Sequence, residues 1–218
     1  MKKLLLSLLI LSGVSTEIYA QTQNLAEAKA KAILAEVRKE YKSYNMFSSE
    51  FTFKLEGHSD KYNTTQQGTL FRKGNKYKLI MTDYEMISDG KTQWKYIRSD
   101  NEVQVYAADN STKTITPENL FTFYNTGFKY RYTGDKKIGN QAYPIIELLP
   151  NDTKKSYFKI SLEINNKSNR IVTVQIFYKN GDKYTYLIKG ITSNMQAPES
   201  FFSFNAKKYP GVEVVDLR

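Results

Sequence analysis

The sequence predicts a mainly β protein of one domain, built around a single curved antiparallel sheet of about 11 strands. Tyr and Phe number 17 and 12 among 218 residues, and aromatic side chains favour strands over helices. From Asn45 onward, apolar and polar residues alternate with period two. The turns between these runs are too short for parallel crossovers, which indicates antiparallel pairing. A sheet of this length also tends to curl.

Helical segments interrupt the strand pattern at three places. Residues 24–44 place their apolar side chains on one stripe, which is typical of a helix that packs against a sheet. That stripe consists of Leu34, Val37, Tyr41 and Tyr44. Thr116 and Pro117 predict the start of a short apolar helix that ends near Gly127, and residues 198–202 predict a helical turn. Because these apolar faces have to be buried, we expect the sheet to wrap over the helices.

Tight turns predict several strand boundaries. Asp89-Gly90 and Asn180-Gly181 are typical of two-residue hairpin loops. A last short strand is expected at residues 212–215, directly after Pro210-Gly211. We expect all of these strands to pair in the antiparallel direction.

The first 20 residues have the pattern of a secretory signal peptide. Met1-Lys2-Lys3 is cationic, residues 4–11 are apolar apart from one serine, and the small residue Ala20 precedes the expected cleavage site. The alternative is an uncleaved membrane anchor, but this apolar run is too short for a stable one. We therefore expect a signal peptide at 1–20 and a single mature domain at 21–218. Because the chain has no Cys, it has no disulfides and no lipid-modified cysteine, which favours a free protein of the bacterial periplasm.

The positive charge of the chain has two interpretations. The formal net charge is +10 at pH 7, and the basic residues are scattered along the sequence. We expect most of them on solvated strand faces and edges, where Lys discourages strand pairing. The alternative is attraction to anionic lipid headgroups or to an acidic partner. Nucleic acid is not an expected partner for an exported protein.

Few residue types are available for catalysis. With no Cys and one His, thiolate chemistry and multi-histidine metal sites are excluded. Two Ser-x-x-Lys matches, Ser88 to Lys91 and Ser156 to Lys159, fall in a hairpin turn and at the start of a strand, which do not bring Ser and Lys onto one helical face. His58 lies in a polar turn without an evident orienting partner. We expect no enzyme, no cofactor and no metal; the alternative is a hydrolase of envelope glycans or lipids, which would need clustered carboxylates.

Five segments, taken in order, resemble the LolA-type outer-membrane lipoprotein carriers. Residues 68–79 are similar to a pair of strands in that family, and residues 87–96 contain its D-G-K-x-x-W-x-Y hairpin pattern. Residues 117–121 resemble its short central helix. Residues 202–204 and 210–214 resemble its C-terminal ending. The resemblance covers nearly the whole of the mature chain.

The resemblance implies an unclosed half-barrel, capped by helices over an apolar cavity. It implies a periplasmic chaperone that takes lipoproteins from an inner-membrane release complex and carries them to an outer-membrane acceptor. Its ligands are then the acyl chains of lipid-modified proteins, and the carrier is expected to be a monomer. The alternative is a related envelope module that binds or senses a lipid, a lipoprotein or another amphiphile without handover to the outer membrane.

Given the resemblance, one apolar face of the alternating strands is a candidate acyl-chain site. An acyl chain needs an apolar and non-directional surface, and aromatic and Met side chains adapt to irregular chains. The candidate lining residues are Phe51, Phe53, Leu55, Tyr77, Leu79, Met81, Met86, Trp94 and Tyr96. The candidate lid residues are Leu120, Phe121, Phe123, Tyr124 and Lys73. The alternative interpretation of the same face is an ordinary, filled core.

Two positions depart from the pattern that the resemblance implies. Lys73-Gly74 stands where the family usually has Arg-Pro, and that Arg is associated with holding the lid. Lys keeps the charge but lacks the planar fork of donors, so the lid is held differently or by the neighbouring Arg72. Leu79 occupies a position where an aromatic residue is common.

Overall fold

The computed structural model describes residues 6–58, 62–108 and 115–218, with side chains from residue 21 onward. A long helix, α1, spans Leu6–Lys42. The predicted start at residue 24 was wrong, because nothing in the preceding segment stops the helix; Gly13 is a weak breaker by itself. Among the described residues, no helix is both long enough and apolar enough to cross a membrane.

In the described ranges, twelve strands form one unclosed sheet. Their bounds are β1 Phe47–Glu56, β2 Thr64–Lys73, β3 Lys76–Met81, β4 Tyr84–Ser88, β5 Thr92–Ile97, β6 Glu102–Ala107, β7 Phe128–Ile138, β8 Gln141–Pro150, β9 Tyr157–Asn165, β10 Arg170–Tyr178, β11 Lys183–Ser193 and β12 Glu213–Asp216. The strand order is β12-β6-β5-β4-β3-β2-β1-β11-β10-β9-β8-β7. Because β12 and β7 are separate edges, the predicted open, mainly β architecture is confirmed.

The pairing of β1 with β11 joins the two halves of the sheet. Strands β1 to β6 and β7 to β11 each follow one another as antiparallel neighbours, and β1 lies between β2 and β11. The register of this central pair shifts between Glu50 and Phe51. A bulge of this kind bends a strand and increases its twist. The sheet therefore curves around an inner face, which we define as the face that α1 covers.

The prediction that every strand pairs antiparallel was wrong for β12, which runs parallel to β6. The chain between β11 and β12 crosses the opposite, outer face of the sheet. There the Phe201 ring contacts Phe71, with centroids 5.2 Å apart, and the Tyr209 ring contacts Tyr96 at 4.4 Å. A long connection permits a parallel crossover that a tight turn does not. This outer segment contains the predicted helical turn, a 3₁₀ helix at Glu199–Phe202.

The main core lies between α1 and the inner face. Ala30, Leu34 and Val37 of α1 are completely buried, and the helix packs over β7 and β10. The backbone N–H of Ile171 in β10 donates a hydrogen bond of 3.0 Å to the Tyr41 hydroxyl. The predicted apolar stripe is therefore confirmed for Leu34, Val37 and Tyr41, which face the sheet, whereas Tyr44 lies beyond the end of the helix.

A smaller core lies on the outer face. Ile87, Val103, Val105 and Phe202 are buried but lie outside the main cluster. Next to them is Glu85, which is 9% exposed. Its carboxylate accepts hydrogen bonds from Arg98 at 2.8 Å and from the Tyr209 hydroxyl at 3.1 Å. Glu85 therefore ties the C-terminal segment to strand β4.

Glu85 should make the stability of the protein fall in acid. Burial by itself would raise the pKa of this carboxyl, but Lys78, Arg98 and Tyr209 outweigh burial and hold the pKa below the ordinary value of 4.5. A lowered pKa gives stability that is present above about pH 4.5 and is lost as pH falls through the folded-state value. We expect Glu85→Gln to reduce the loss of unfolding free energy between pH 6 and pH 3, measured by urea denaturation. An unchanged acid dependence in this variant would contradict the assignment.

Gly68 in β2 should not tolerate a side chain, because the inner face leaves no room there. A Cβ atom at this position would lie 2.6 Å from the Met81 sulfur and 2.8 Å from Cε2 of Phe51. We expect Gly68→Ala to lower the unfolding free energy by about 1–3 kcal/mol through overpacking. Gly190→Ala in β11 is the matched control, since nothing lies within 4 Å of its added Cβ. Equal effects of the two substitutions in chemical denaturation would refute this explanation.

Candidate functional site

The inner face of the first strands is a continuous apolar wall. Leu79 pairs with both Leu70 and Met86, so these side chains share one face. Phe51, Leu79 and Met81 are at most 4% exposed. Three other predicted lining residues, Phe53, Tyr77 and Met86, are partly buried and pack against the same core. Leu55, also partly buried, lies near the end of β1 and pairs with Tyr184.

Two of the predicted lining residues do not lie on this wall. Trp94 pairs with Ile87, and Tyr96 pairs with Glu85. Both partners alternate with Met86 along β4, so Trp94 and Tyr96 belong to the outer face. Tyr96 packs there on Tyr209. The prediction that one face carries all nine side chains was therefore wrong. Alternation shows which residues of one strand share a face, but it does not show which face of the next strand lies on the same side of the sheet.

A separate segment, the lid (residues 117–125), covers the inner face. The predicted short helix exists as two 3₁₀ helices, Pro117–Asn119 and Phe123–Asn125. Its side chains point inward: Leu120, Phe121, Phe123 and Tyr124 are at most 3% exposed. The Phe121 ring lies 4.9 Å from the Tyr41 ring and 5.1 Å from the Phe47 ring. The lid thus buries an apolar surface between α1 and the sheet.

Arg72, rather than Lys73, connects the sheet to the lid. Nη1 of Arg72 donates a hydrogen bond of 2.6 Å to the backbone carbonyl of Glu118, and its Nε donates one of 3.0 Å to the carbonyl of Gly74. Burial lowers the pKa of this guanidinium. Lys73 points to the outer face and pairs with Glu199 at 2.7 Å. The predicted lid role of Lys73 was wrong because neighbouring strand residues face opposite sides, and the alternative holder, Arg72, has the required geometry.

Two buried polar atoms of the lid itself were not foreseen from the sequence. In the described part of the chain, Glu118 Oε2 and the Tyr124 hydroxyl are buried and have no hydrogen-bond partner. Glu118 is partly exposed as a residue, but burial of its carboxyl raises the pKa of that group. An acidic residue after Pro117 is ordinary at a helix start, so the sequence carries no signal for this role. Unpaired buried polar groups destabilise the closed lid.

The residues that matched catalytic motifs have structural partners. Ser88 Oγ donates to the Thr92 carbonyl at 3.0 Å, and Lys159 pairs with Glu147 at 3.1 Å. The backbone N–H of His58 donates to Asp182 at 3.0 Å, which links two loops. No cluster of three His, Asp or Glu side chains suited to a metal ion occurs in the described ranges. The described residues that matched these motifs are therefore held in ordinary structural contacts.

Arg72 should control how readily the lid opens. A hydrogen bond from a charged donor contributes about 1.5–3 kcal/mol, and each 1.4 kcal/mol corresponds to about tenfold in an opening equilibrium. We expect Arg72→Met to speed hydrogen exchange of residues 117–125 by about tenfold or more, measured by mass spectrometry. Lys73→Met, one residue away on the outer face, is the control and should leave lid exchange unchanged. Equal exchange in the two variants would rule out this role for Arg72.

Comparisons with known proteins agree with this geometry. A model of the family described as outer membrane lipoprotein carrier protein LolA matches residues 18–205. No curated protein matches the sequence significantly. An uncharacterized conserved protein from Thermus thermophilus is 10% identical, with a TM-score of 0.59 over 86% of this chain and 99% of its own. A DUF1329 family protein from Desulfovibrio piger is 10% identical, with a TM-score of 0.51 over 83% and 98%. A LolA superfamily protein from Nitrosomonas europaea is 12% identical, with a TM-score of 0.44 over 80% and 97%.

Proposed function

This chain belongs to the LolA family, and we propose that it is a periplasmic carrier of lipoproteins. It binds the acyl chains of lipoproteins that an inner-membrane complex releases, and it delivers them to an acceptor at the outer membrane. Residues 1–20 act as the signal peptide and residues 21–218 form the mature carrier, which works as a monomer. The carrier needs no cofactor and catalyses no reaction.

The observation that carries this proposal is an apolar wall covered by a lid that is not part of the sheet. Phe51, Leu79 and Met81 are buried in the same core cluster as the apolar side chains of the lid. The lid is held by side-chain packing and by the hydrogen bond from Arg72 to the Glu118 carbonyl. It has no ladder of strand hydrogen bonds to break, so the cost of moving it comes mainly from exposing its four apolar side chains. Movement of the lid uncovers the wall for an acyl chain.

The lid also explains how binding stays reversible. Each buried methylene contributes about 0.8 kcal/mol, so a chain of about 15 methylenes would contribute on the order of 12 kcal/mol if it were wholly buried. The four apolar lid residues each gain about 1.5–3 kcal/mol when they cover the wall again. The two totals are of similar size. Because lid and acyl chain compete for one surface, neither binds it irreversibly.

Site-specific photocrosslinking tests the proposed lining. A benzophenone-bearing phenylalanine analogue replaces Phe53 on the inner face or, as the aromatic control, Phe158, which is 51% exposed. We expect a triacylated lipopeptide to crosslink at position 53 and not at position 158. The same peptide without acyl chains should crosslink at neither position. Crosslinking at 158 alone, or equally at both, would contradict the inner-face site.

Depletion of the protein in its host tests the transport role. If the protein carries lipoproteins across the periplasm, its loss should leave lipoproteins in the inner membrane, as measured by membrane fractionation and quantitative proteomics. Normal lipoprotein sorting after depletion, together with crosslinking at position 53, would indicate a binding or sensing module that makes no handover. Normal sorting without crosslinking would overturn both interpretations.

A further inference from the structure

A pocket lies beside the lid, separate from the apolar wall of the candidate acyl-chain site. It has a volume of about 400 Å³, within the range of small-molecule sites. The end of α1, the β2–β3 turn and the lid form its walls. Its cationic residues are Arg38, Lys42 and Arg72, and its aromatic residues include Tyr41, Phe47 and Phe121. The candidate acyl-chain site does not use Arg38 or Lys42.

The three cations of this pocket are not neutralised by close ion pairs within the described ranges, although the Glu118 carboxyl acts on Arg72 at longer range. Among the described residues, none of Arg38, Lys42 and Arg72 forms an ion pair; the hydrogen bonds of Arg72 go to two backbone carbonyls. The nearby carboxylate of Glu40 is engaged by Arg170 at 3.3 Å and by the Tyr44 hydroxyl. The end of α1 adds a partial negative charge of about half a unit. Three full positive charges outweigh this partial charge and the Glu118 carboxyl together, so the pocket is electropositive.

The geometry of the cations favours a phosphate group over a simple halide. Two guanidinium groups offer planar forks of donors that match the oxygens of phosphate, and Lys42 adds an ammonium group. Burial raises the pKa of the Tyr124 hydroxyl, while Arg38 and Arg72 act in the opposite direction. Both guanidinium groups therefore act electrostatically on the same buried group, and both line the pocket.

The aromatic walls indicate that the anion belongs to an amphiphile. Tyr41, Phe47 and Phe121 line the pocket and also belong to the main core. These rings pack on one another, and a free inorganic ion would leave their pocket-facing edges against water. A phospholipid satisfies both parts of the pocket, because its phosphate meets the cations and its glycerol and first methylenes meet the rings.

We propose that this pocket binds the phosphate headgroup of an anionic phospholipid. The site goes beyond the proposed acyl-chain site, since it uses Arg38 and Lys42 at the mouth of the lid rather than the inner face. It also gives a specific role to part of the positive charge of the chain. The ligand is a lipid headgroup and not a protein or a nucleic acid.

Vesicle flotation of the purified mature chain tests this site. The probes are vesicles of phosphatidylcholine alone and vesicles with 30% phosphatidylglycerol. We expect binding to the anionic vesicles to be about thirtyfold weaker in the double variant Arg38→Gln/Lys42→Gln than in the control Lys207→Gln/Lys208→Gln, because each cation at an anionic surface contributes about 1 kcal/mol and each 1.4 kcal/mol is about tenfold. The control removes the same charge from exposed positions far from the pocket in sequence.

Three outcomes would overturn the proposal. Equal weakening in both double variants would indicate non-specific charge attraction. Complete displacement from vesicles by millimolar inorganic phosphate would indicate a site for the free ion. Displacement by a phosphate-free acidic peptide would indicate a protein partner. Crosslinking at position 53 should persist in Arg38→Gln/Lys42→Gln, so loss of headgroup binding is distinguishable from failure of the carrier function.

Discussion

Every strand places successive side chains on opposite faces, and this sheet buries apolar groups on both. The inner face is covered by α1 and the lid, and part of the outer face is covered by the segment between β11 and β12. Arg72 and Lys73 show the division most directly. Arg72 donates a hydrogen bond to the lid carbonyl of Glu118, and Lys73 pairs with Glu199 on the outer segment. The stability of the open sheet therefore does not depend on its inner face alone, which is compatible with the proposed use of that face for binding.

The lid illustrates a balance between closure and release. Four buried apolar side chains favour the closed state, while Oε2 of Glu118 and the Tyr124 hydroxyl are buried there without hydrogen-bond partners among the described residues. The unpaired polar atoms reduce the free energy by which the closed state is favoured. A carrier needs such a reduction, because a lid that closed too firmly would exclude its cargo. The proposed headgroup pocket shares Arg72 with the lid, so lipid contact and lid position involve the same side chain.

Much of the architecture was predictable from local patterns. Period-two alternation indicated most strands, and the apolar stripe of Leu34 and Val37 indicated which side of α1 meets the sheet. Relations between distant strands were not predictable in this way. Trp94 faces outward because it pairs with Ile87, and β12 runs parallel because of the route of a long connection. Arg38 and Lys42 meet Arg72 only after folding, so no spacing in the sequence signals their pocket.

The separate outer core allows the inner wall to change in sequence while the sheet stays folded. Ile87, Val103, Val105 and Phe202 stabilise β3 to β6 without belonging to the main cluster. Mutations that reshape the inner wall for a ligand of different size therefore leave these strands anchored. Drift in sequence and change of specificity become possible without loss of the scaffold. The Thermus protein, 10% identical over 86% of this chain, retains the scaffold at that distance.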